Sequence, residues 1–464
     1  MFVVIKMNVK ILALAHLFIF FSLISVGSTE AEVKTLVGEY TYKASPVDTK
    51  ESCQIIALEQ VKRLLLEELG TYLESFTEVT NYQLTKDKIT VLTAGIVQTN
   101  IIEEEWNGHT YRLKAKIVAD SSEVTKSIDN LRRQHTKTKE LEEVRKRSDE
   151  LLKENERLRK TLEGKHTIQP RFVFEDQPDI FDRIAEEKEN YDKTIKELSA
   201  IDWFYKGYSL ALSGNYIKAI EAFTKAIELN PKFATAFYNR GHLYGDIGKY
   251  NEEIRDYNRA IAINPKDAEA YNNRGIAYGK LKEYQQEIRN YDKAIELNPN
   301  YEDAFINRGI AYRLLGKYEQ AFRDINKAIE LNPKSSSSYY TRGLLYGSLN
   351  DHQKAIKDFD KAISLNSKHV EAYVFRSVAY IKMGIYDQAI KDTNKALELN
   401  PKEAGNYYYN MACIYSVMND SNNACRFLKK AIGHGYSDWE HLKKDDDFNN
   451  IRNSSCFQEI VREF

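Results

Sequence analysis

The sequence predicts a mainly α protein: a solenoid of helical-hairpin repeats preceded by a small α+β domain and a short coiled-coil helix. Three observations carry this. Five of the eight prolines, Pro231, Pro265, Pro299, Pro333 and Pro401, stand 34 residues apart, or twice 34 in the last gap, and Ser367 fills the missing beat. Small and aromatic residues recur at fixed slots between those prolines. Ahead of them lie β-branched runs and an Asn-Gly pair without that period. A fixed period of this length is one supersecondary unit copied along the chain, each copy burying its apolar face on the next.

Taken in order, the chain opens with Lys6 and Lys10, an apolar run from Ile11 to Ile24, and the small residues Ser25-Val26-Gly27. That is the layout of a secretory signal peptide over residues 1–27, and it implies a periplasmic or secreted protein. The run is short for a spanning helix, but left uncleaved it would anchor the chain in a membrane. No cysteine lies near the cleavage point, which argues against a lipoprotein anchor.

Residues 32–119 read as the α+β domain. Thr35 to Lys43 has the β-branched and aromatic content of a strand. Glu51 to Ser75 places Ile55, Leu58, Val61, Leu64, Leu65, Leu69 and Leu73 at helical spacing. Ile89 to Ile102 and His109 to Ala119 read as further strands, split by the turn Asn107-Gly108. The phrases IALEQVKRLLLEELGTYLESFTEVTNYQL, TAGIV and YRLKAKIVAD resemble the N-terminal domain of flagellar assembly protein T and related exported envelope domains. The resemblance implies a bacterial envelope protein and does not by itself say flagellum.

Residues 120–165 are charged and helical. Heptads place Leu141, Ser148, Asn155 and Leu162 at a, with Val144, Leu151 and Leu158 at d. An a-position Asn with Leu at d favours a parallel two-stranded coiled coil, so a homodimer through residues 141–162 is expected. A single solvated helix is the alternative. Residues 166–199 form a linker marked by Pro170 and Pro178, then a lead-in helix from Ile184 to Leu198.

The repeats occupy residues 200–432. In the first unit, helix A carries Trp203, Gly207 and Leu210, a turn follows at Ser213-Gly214-Asn215, and helix B carries Ala219, Phe223 and Ala226 before Pro231 stops it. The helix-A small slot holds Gly207, Gly241, Gly275, Gly309, Gly343 and Ser377. Glycine within a helix costs about 1 kcal/mol against alanine, so its recurrence implies close approach of the paired helix. The pattern resembles the tetratricopeptide repeat, W-x2-L-G-x2-Y, then A-x3-F, A and P. There are six regular copies and a seventh, shifted by one residue, from Gly405. Arg replaces Leu before the glycine in most copies, and Glu253 and Glu287 replace the first helix-B alanine. Residues 433–464 read as a helical cap.

The 67 basic and 68 acidic residues leave a net charge of −1, and no basic patch with interleaved aromatics stands outside the repeat slots, so no nucleic-acid partner is implied. Four cysteines do not make a disulfide scaffold. Cys413 and Cys425 sit on opposite helices of repeat seven, with Cys413 turned away from helix B, and free thiols are expected. No histidine pair has ligand spacing, and there is neither a phosphate loop nor a nucleophile elbow. His434 and His441 near Asp445, Asp446 and Asp447 read as a solvated cap surface rather than a metal site. No catalytic residue, metal or cofactor is expected, and the chain reads as no enzyme.

Arg240, Arg274, Arg308, Arg342 and Arg376 recur on helix A, and Asp256, Asp324, Asp358 and Asp392 on helix B. Anything periodic in every repeat serves stacking, so an interhelical ion-pair ladder is expected rather than a carboxylate grip. Resemblance to the repeat family implies that helix A lines a concave face. Its inward slots hold Tyr238, His242, Asn272, Ile276, Ile306, Ile310, Arg313, Tyr340, Leu344, Val374, Val378 and Tyr409. That mixture suits a protein or peptide partner with apolar side chains. The expected function is an exported, non-enzymatic interaction scaffold of the bacterial envelope. The alternative is a ligand- or glycan-sensing envelope protein, whose α+β domain would show a pocket of convergent polar groups.

Overall fold

The computed structural model describes residues 33–79, 86–120, 124, 127–128, 135–166 and 179–463. The signal segment and the linker prolines Pro170 and Pro178 lie outside the described residues. The chain divides at Pro265 into two compact units.

The first unit opens with a three-stranded antiparallel sheet. Strands β1 (Val33–Lys43), β2 (Thr99–Trp106) and β3 (Thr110–Asp120) lie in the order β1-β3-β2. Alternate residues of β3, Tyr111, Leu113, Ala115, Ile117 and Ala119, are buried, the period of a half-buried strand. Helix α1 (Lys50–Val79) covers this face with Val61, Leu65 and Leu69. At Gly38 on β1 an added Cβ would stand 3.1 Å from Leu65. The β2–β3 hairpin turns at Asn107-Gly108, with Gly108 at φ +88° and the Asn107 carboxamide accepting from the His109 and Thr110 amides.

The strand expected from Ile89 is instead helical up to residue 94. Helix α2 (Lys86–Ala94) comes first, and β2 begins only at Thr99. Ile89, Leu92 and Thr93 are all buried, and their i, i+3, i+4 spacing is that of one helix face. The Thr93 hydroxyl donates to the Ile89 carbonyl at 2.9 Å, which satisfies a buried polar group inside the helix. Tertiary packing overrides β-propensity here.

Helices α3 (His135–His166) and α4 (Asp179–Leu212) complete the core of this unit. The expected heptad face of α3 is buried: Leu141, Val144, Ser148, Leu151, Asn155, Leu158 and Leu162 are each at most 4% exposed. The chain itself buries it. Ser148 donates to Glu59 of α1 at 2.7 Å, and Asn155 donates to Thr194 of α4 at 3.1 Å. Neither the expected parallel dimer nor the solvated helix holds, because the seam a second copy would fill is occupied in cis.

Helix α4 runs unbroken into the repeats, so its last turns are helix A of repeat one. Helix α5 (Tyr216–Leu229) is its partner, and α6 (Ala234–Asp246) with α7 (Tyr250–Ile263) forms repeat two. In the second unit the pairs continue as α8 (Ala268–Lys280) and α9 (Tyr284–Leu297), α10 (Glu302–Leu314) and α11 (Tyr318–Leu331), and α12 (Ser336–Ser348) and α13 (His352–Leu365). Helices α14 (Val370–Lys382) and α15 (Tyr386–Leu399) follow, then α16 (Ala404–Val417) and α17 (Ser421–Gly433). The tail adds α18 (Trp439–Lys444) and α19 (Ser455–Glu463). Its Leu442, Phe448, Ile451, Phe457 and Ile460 close over Ala412, Ala424 and Leu428 of repeat seven.

The small slot on helix A has the expected cause. A Cβ at Gly275 would lie 2.6 Å from Tyr291, at Gly309 2.6 Å from Ile325, and at Gly343 2.6 Å from Phe359. A second small-for-large exchange explains the glutamates on helix B. The Glu253 carboxylate fills the space over Gly245, and that of Glu287 the space over Gly279.

Candidate functional site

The helix-A arginines sit against helix B of their own repeat. Arg240 reaches Asp256, Arg308 reaches Asp324, Arg342 reaches Asp358 and Arg376 reaches Asp392, each through two parallel hydrogen bonds of 2.7–2.8 Å. Each guanidinium also donates to helix B of the preceding repeat: Arg240 to Thr224, Arg308 to Asp292, Arg342 to Asn326 and Arg376 to Asp360. These second acceptors were not singled out from the sequence, although each stands 16 residues before its arginine. The ladder is therefore structural, and its arginines are committed to stacking. Burial works against the charge of Arg308, but hydrogen bonds to Asp324 and Asp292 outweigh it and raise its pKa. Arg274 faces Asn290 rather than Asp, at 2.8 Å, and burial lowers its pKa.

The twelve inward slots fall into three groups. In the first unit, Tyr238 is buried against Tyr257, and His242 is exposed with Nδ1 3.4 Å from Asp246. In the second unit, the A helices α8, α10, α12 and α14 touch in succession. Asn272 is buried and accepts from Asn307 at 3.0 Å, tying α8 to α10, and Ile306 is buried in the core. Ile276 and Val378 are exposed, while Ile310, Arg313, Tyr340, Leu344 and Val374 are half-buried. Tyr409 faces the tail instead: its hydroxyl donates to Asp445 at 2.5 Å and its ring stacks on Tyr436. The cap withdraws that residue from any groove.

The polar feature of this face is Arg313. Its Nε is buried and has no hydrogen-bond partner among the described residues. Its charge bears on the neighbouring Tyr340 phenol, whose pKa burial pushes up to about 12. The Tyr340 ring contacts Phe375, which is 40% exposed and which the slot pattern passed over. An exposed apolar surface beside an unsatisfied guanidinium nitrogen is a place where an apolar group and an acceptor could dock together.

At the end of the array Cys425 is disulfide-bonded to Cys456, joining α17 to α19. The expected free thiol holds for Cys413 but not for Cys425, because the pairing residue lies in the tail rather than on the facing helix; Cys53 is also free and buried. Burial, then Asp445 and Asp447, hold the Cys413 thiol well above its usual range, which disfavours the thiolate. Cys413, Asp445 and Asp447 bring one ligand atom each within 4.8 Å of one another. The Asp445 carboxylate is already engaged by Tyr409 and Cys413, and Asp447 by Lys382.

Sequence comparison assigns the paired helices. Profiles described as "TPR repeat" match residues 207–248 and 245–282, and profiles described as "Tetratricopeptide repeat" match 268–301, 302–335, 336–369, 370–403 and 405–433. Residues 207–433 are tetratricopeptide repeats. Such repeats suggest a protein–protein interaction scaffold, and proteins built from them are typically non-enzymatic. A tetratricopeptide repeat protein from Parabacteroides merdae, known from its crystal structure, is 24% identical with a TM-score of 0.46, over 55% of this chain and 99% of that one. The crystal structure of MamA protein is 28% identical with a TM-score of 0.31, over 37% of this chain and 93% of that one. A chloroplastic protein of Arabidopsis thaliana is 32% identical over 56 residues, 12% of this chain. The match spans 17% of that relative's length.

Proposed function

We propose that the protein is an exported, non-enzymatic adaptor of a bacterial envelope, binding a peptide segment of a partner on the A-helix face of repeats three to six. The observation that carries this reading is Arg313 beside Tyr340 and Phe375. A buried Nε without a partner leaves a donor to be satisfied, and Phe375, Ile276 and Val378 leave apolar surface to be covered. A peptide with apolar side chains and one acceptor, a carbonyl or a carboxylate, meets both needs. The arginine ladder supports the same division of labour, since it takes the guanidinium groups of Arg308, Arg342 and Arg376 into stacking. The signal-like segment 1–27 and the resemblance of residues 32–119 to exported envelope domains support export. So does the Cys425–Cys456 disulfide, because cytosolic thiols are kept reduced. Among the described residues no helix is long and apolar enough to cross a membrane.

Peptide selection against the full-length protein tests the site. Selected peptides should be apolar with a conserved acceptor position, and Arg313→Ala with Phe375→Asp should abolish their binding while leaving the melting curve in place. Peptides that bind both variants unchanged would overturn the reading. Cell fractionation with N-terminal sequencing tests export. A mature chain starting after Gly27 in the periplasm or medium is expected, and full-length protein in the cytoplasm would refute it.

A further inference from the structure

We propose that the first unit binds a small organic anion, a carboxylate or phosphate group on a short apolar body, in a cavity between α1, the segment entering β2, and the start of repeat one. The cavity has a volume of about 360 Å³, within the range of small-ligand sites. It is independent of the peptide-binding face argued above.

Its walls divide by chemistry. Leu58, Leu66, Val97 and Ile101 give an apolar side. Four cations converge on the other: Lys62 and Arg63 from α1, Arg145 from α3 and Lys206 from α4. The carboxylates facing them are fewer. Asp202 pairs with Lys62, and Asp149 stands 3.3 Å from Arg63 and 3.7 Å from Arg145, shared between the two. Glu59 accepts from Ser148. Lys206 lies over the Trp203 ring, and among the described residues it forms no ion pair. Positive charge therefore exceeds negative around a concave, partly apolar space, which is the complement of an amphipathic anion.

One hydroxyl points to a missing ligand. Tyr205 lines this cavity, and its Oη is buried with no hydrogen-bond partner among the described residues. Burial first, and Glu59 after it, raise the Tyr205 pKa, so the phenol keeps its proton and offers a donor. Burial also draws Lys62 down to about 8, against the pull of Glu59.

The site has a structural consequence. Tyr205 and Lys206 immediately precede Gly207, where an added Cβ would meet Phe223 at 2.9 Å in the packing of repeat one. Helix α4 is continuous through all three residues. A bound anion would thus tie α1 and α3 to helix A of the first repeat.

The test uses the full-length protein. Titration calorimetry and thermal melting are run with phenyl phosphate, phenylacetate and hexanoate, and with phenylacetamide and hexanamide as neutral matches. At least one anion should bind at millimolar concentration or below and raise the melting temperature, with its neutral match silent. Phosphate and carboxylate probes distinguish the headgroup. Arg145→Gln should weaken binding about tenfold, as loss of a charge-assisted contact does. Tyr205→Phe should weaken it about fivefold, the worth of one hydrogen bond. Because that hydroxyl has no partner among the described residues, Tyr205→Phe should melt no lower than the parent, so it decides the matter even where Arg145→Gln fails to fold. No binding by any anion, equal binding of the neutral matches, or binding untouched by Tyr205→Phe would each overturn the proposal.

Discussion

Arg308 holds Asp324 through two parallel hydrogen bonds, Nε to Oδ2 at 2.8 Å and Nη2 to Oδ1 at 2.7 Å, with both side chains largely buried. A pair of this kind is most visible when half of it is removed. Asp324→Ala should destabilise the second unit by about 3 kcal/mol, because it leaves a guanidinium buried without its carboxylate. The converse test lies one repeat earlier, where Arg274 faces Asn290. Asn290→Asp should complete the ladder and stabilise by about 1 kcal/mol. Chemical denaturation of both variants beside the parent checks the two signs.

Gly275 is the tightest test of why the period exists. Its missing Cβ would fall 2.6 Å from Tyr291, and Tyr291 is itself fully buried. Gly275→Leu should cost roughly 3 kcal/mol through overpacking, read as a lowered melting temperature. The helix propensity of leucine predicts the opposite sign, so an unchanged or raised melting temperature would show that the slot is not tight.

The turn between helices A and B makes a stabilising prediction. Gly214, Gly248, Gly316 and Gly384 occupy it with φ of 70–76°, and Lys282 occupies the same turn with φ 62°. A left-handed conformation costs a lysine about 1 kcal/mol that glycine does not incur. Lys282→Gly should raise stability by about that amount in thermal or urea melts. It should do so without changing the denaturant slope, since no surface is newly exposed.

Glu287 gives a pH dependence. Burial raises its pKa, with the Tyr291 hydroxyl donating to it and opposing the shift. A carboxyl raised in the folded state contributes stability that is complete below its unfolded pKa, about 4.3, and is lost as pH rises through the folded value. Glu287→Gln cannot ionise. Its melting temperature should therefore exceed the parent's at pH 7, and the gap should close as pH falls to about 4. A gap that does not vary with pH would assign the effect to packing over Gly279 instead.

The repeats were legible because every copy answers the same local question. Pro231 and its equivalents end a helix, Gly275 and its equivalents admit an aromatic or branched side chain, and each answer is written 34 residues further on. What the period could not carry was anything contributed from outside it. Cys425 finds Cys456 in the tail, and Tyr409 is covered by the tail, so neither fate lies within a repeat. Of the candidate face, the apolar slots could be enumerated from sequence. The unsatisfied Arg313 Nε, and Phe375 one position off the pattern, depend on which side chains the neighbouring helix presents. Ile89 to Ala94 misled for a related reason: its β-branched residues are common to strands and buried helices, and only packing decides between them.

The heptads of α3 give the last test, because the pattern is real and its partner is not a second copy. Leu151 and Leu158 are each 2% exposed, packed within the core that α1 and α4 share. The polar a positions are matched in cis, Ser148 by Glu59 and Asn155 by Thr194. Hydrophobic spacing records that a face is buried, not what buries it. A coiled-coil dimer would predict that Leu151→Lys with Leu158→Lys yields a folded monomer of unchanged helicity. The observed packing predicts instead that the double variant loses the first unit, since each buried leucine contributes about 2–5 kcal/mol and lysine adds an unpaired charge. Sedimentation of the parent should show no association through this face. Circular dichroism of the variant should show lost helix with the repeats of the second unit still melting cooperatively. A variant that keeps its helicity while a parent dimer dissociates would restore the dimer.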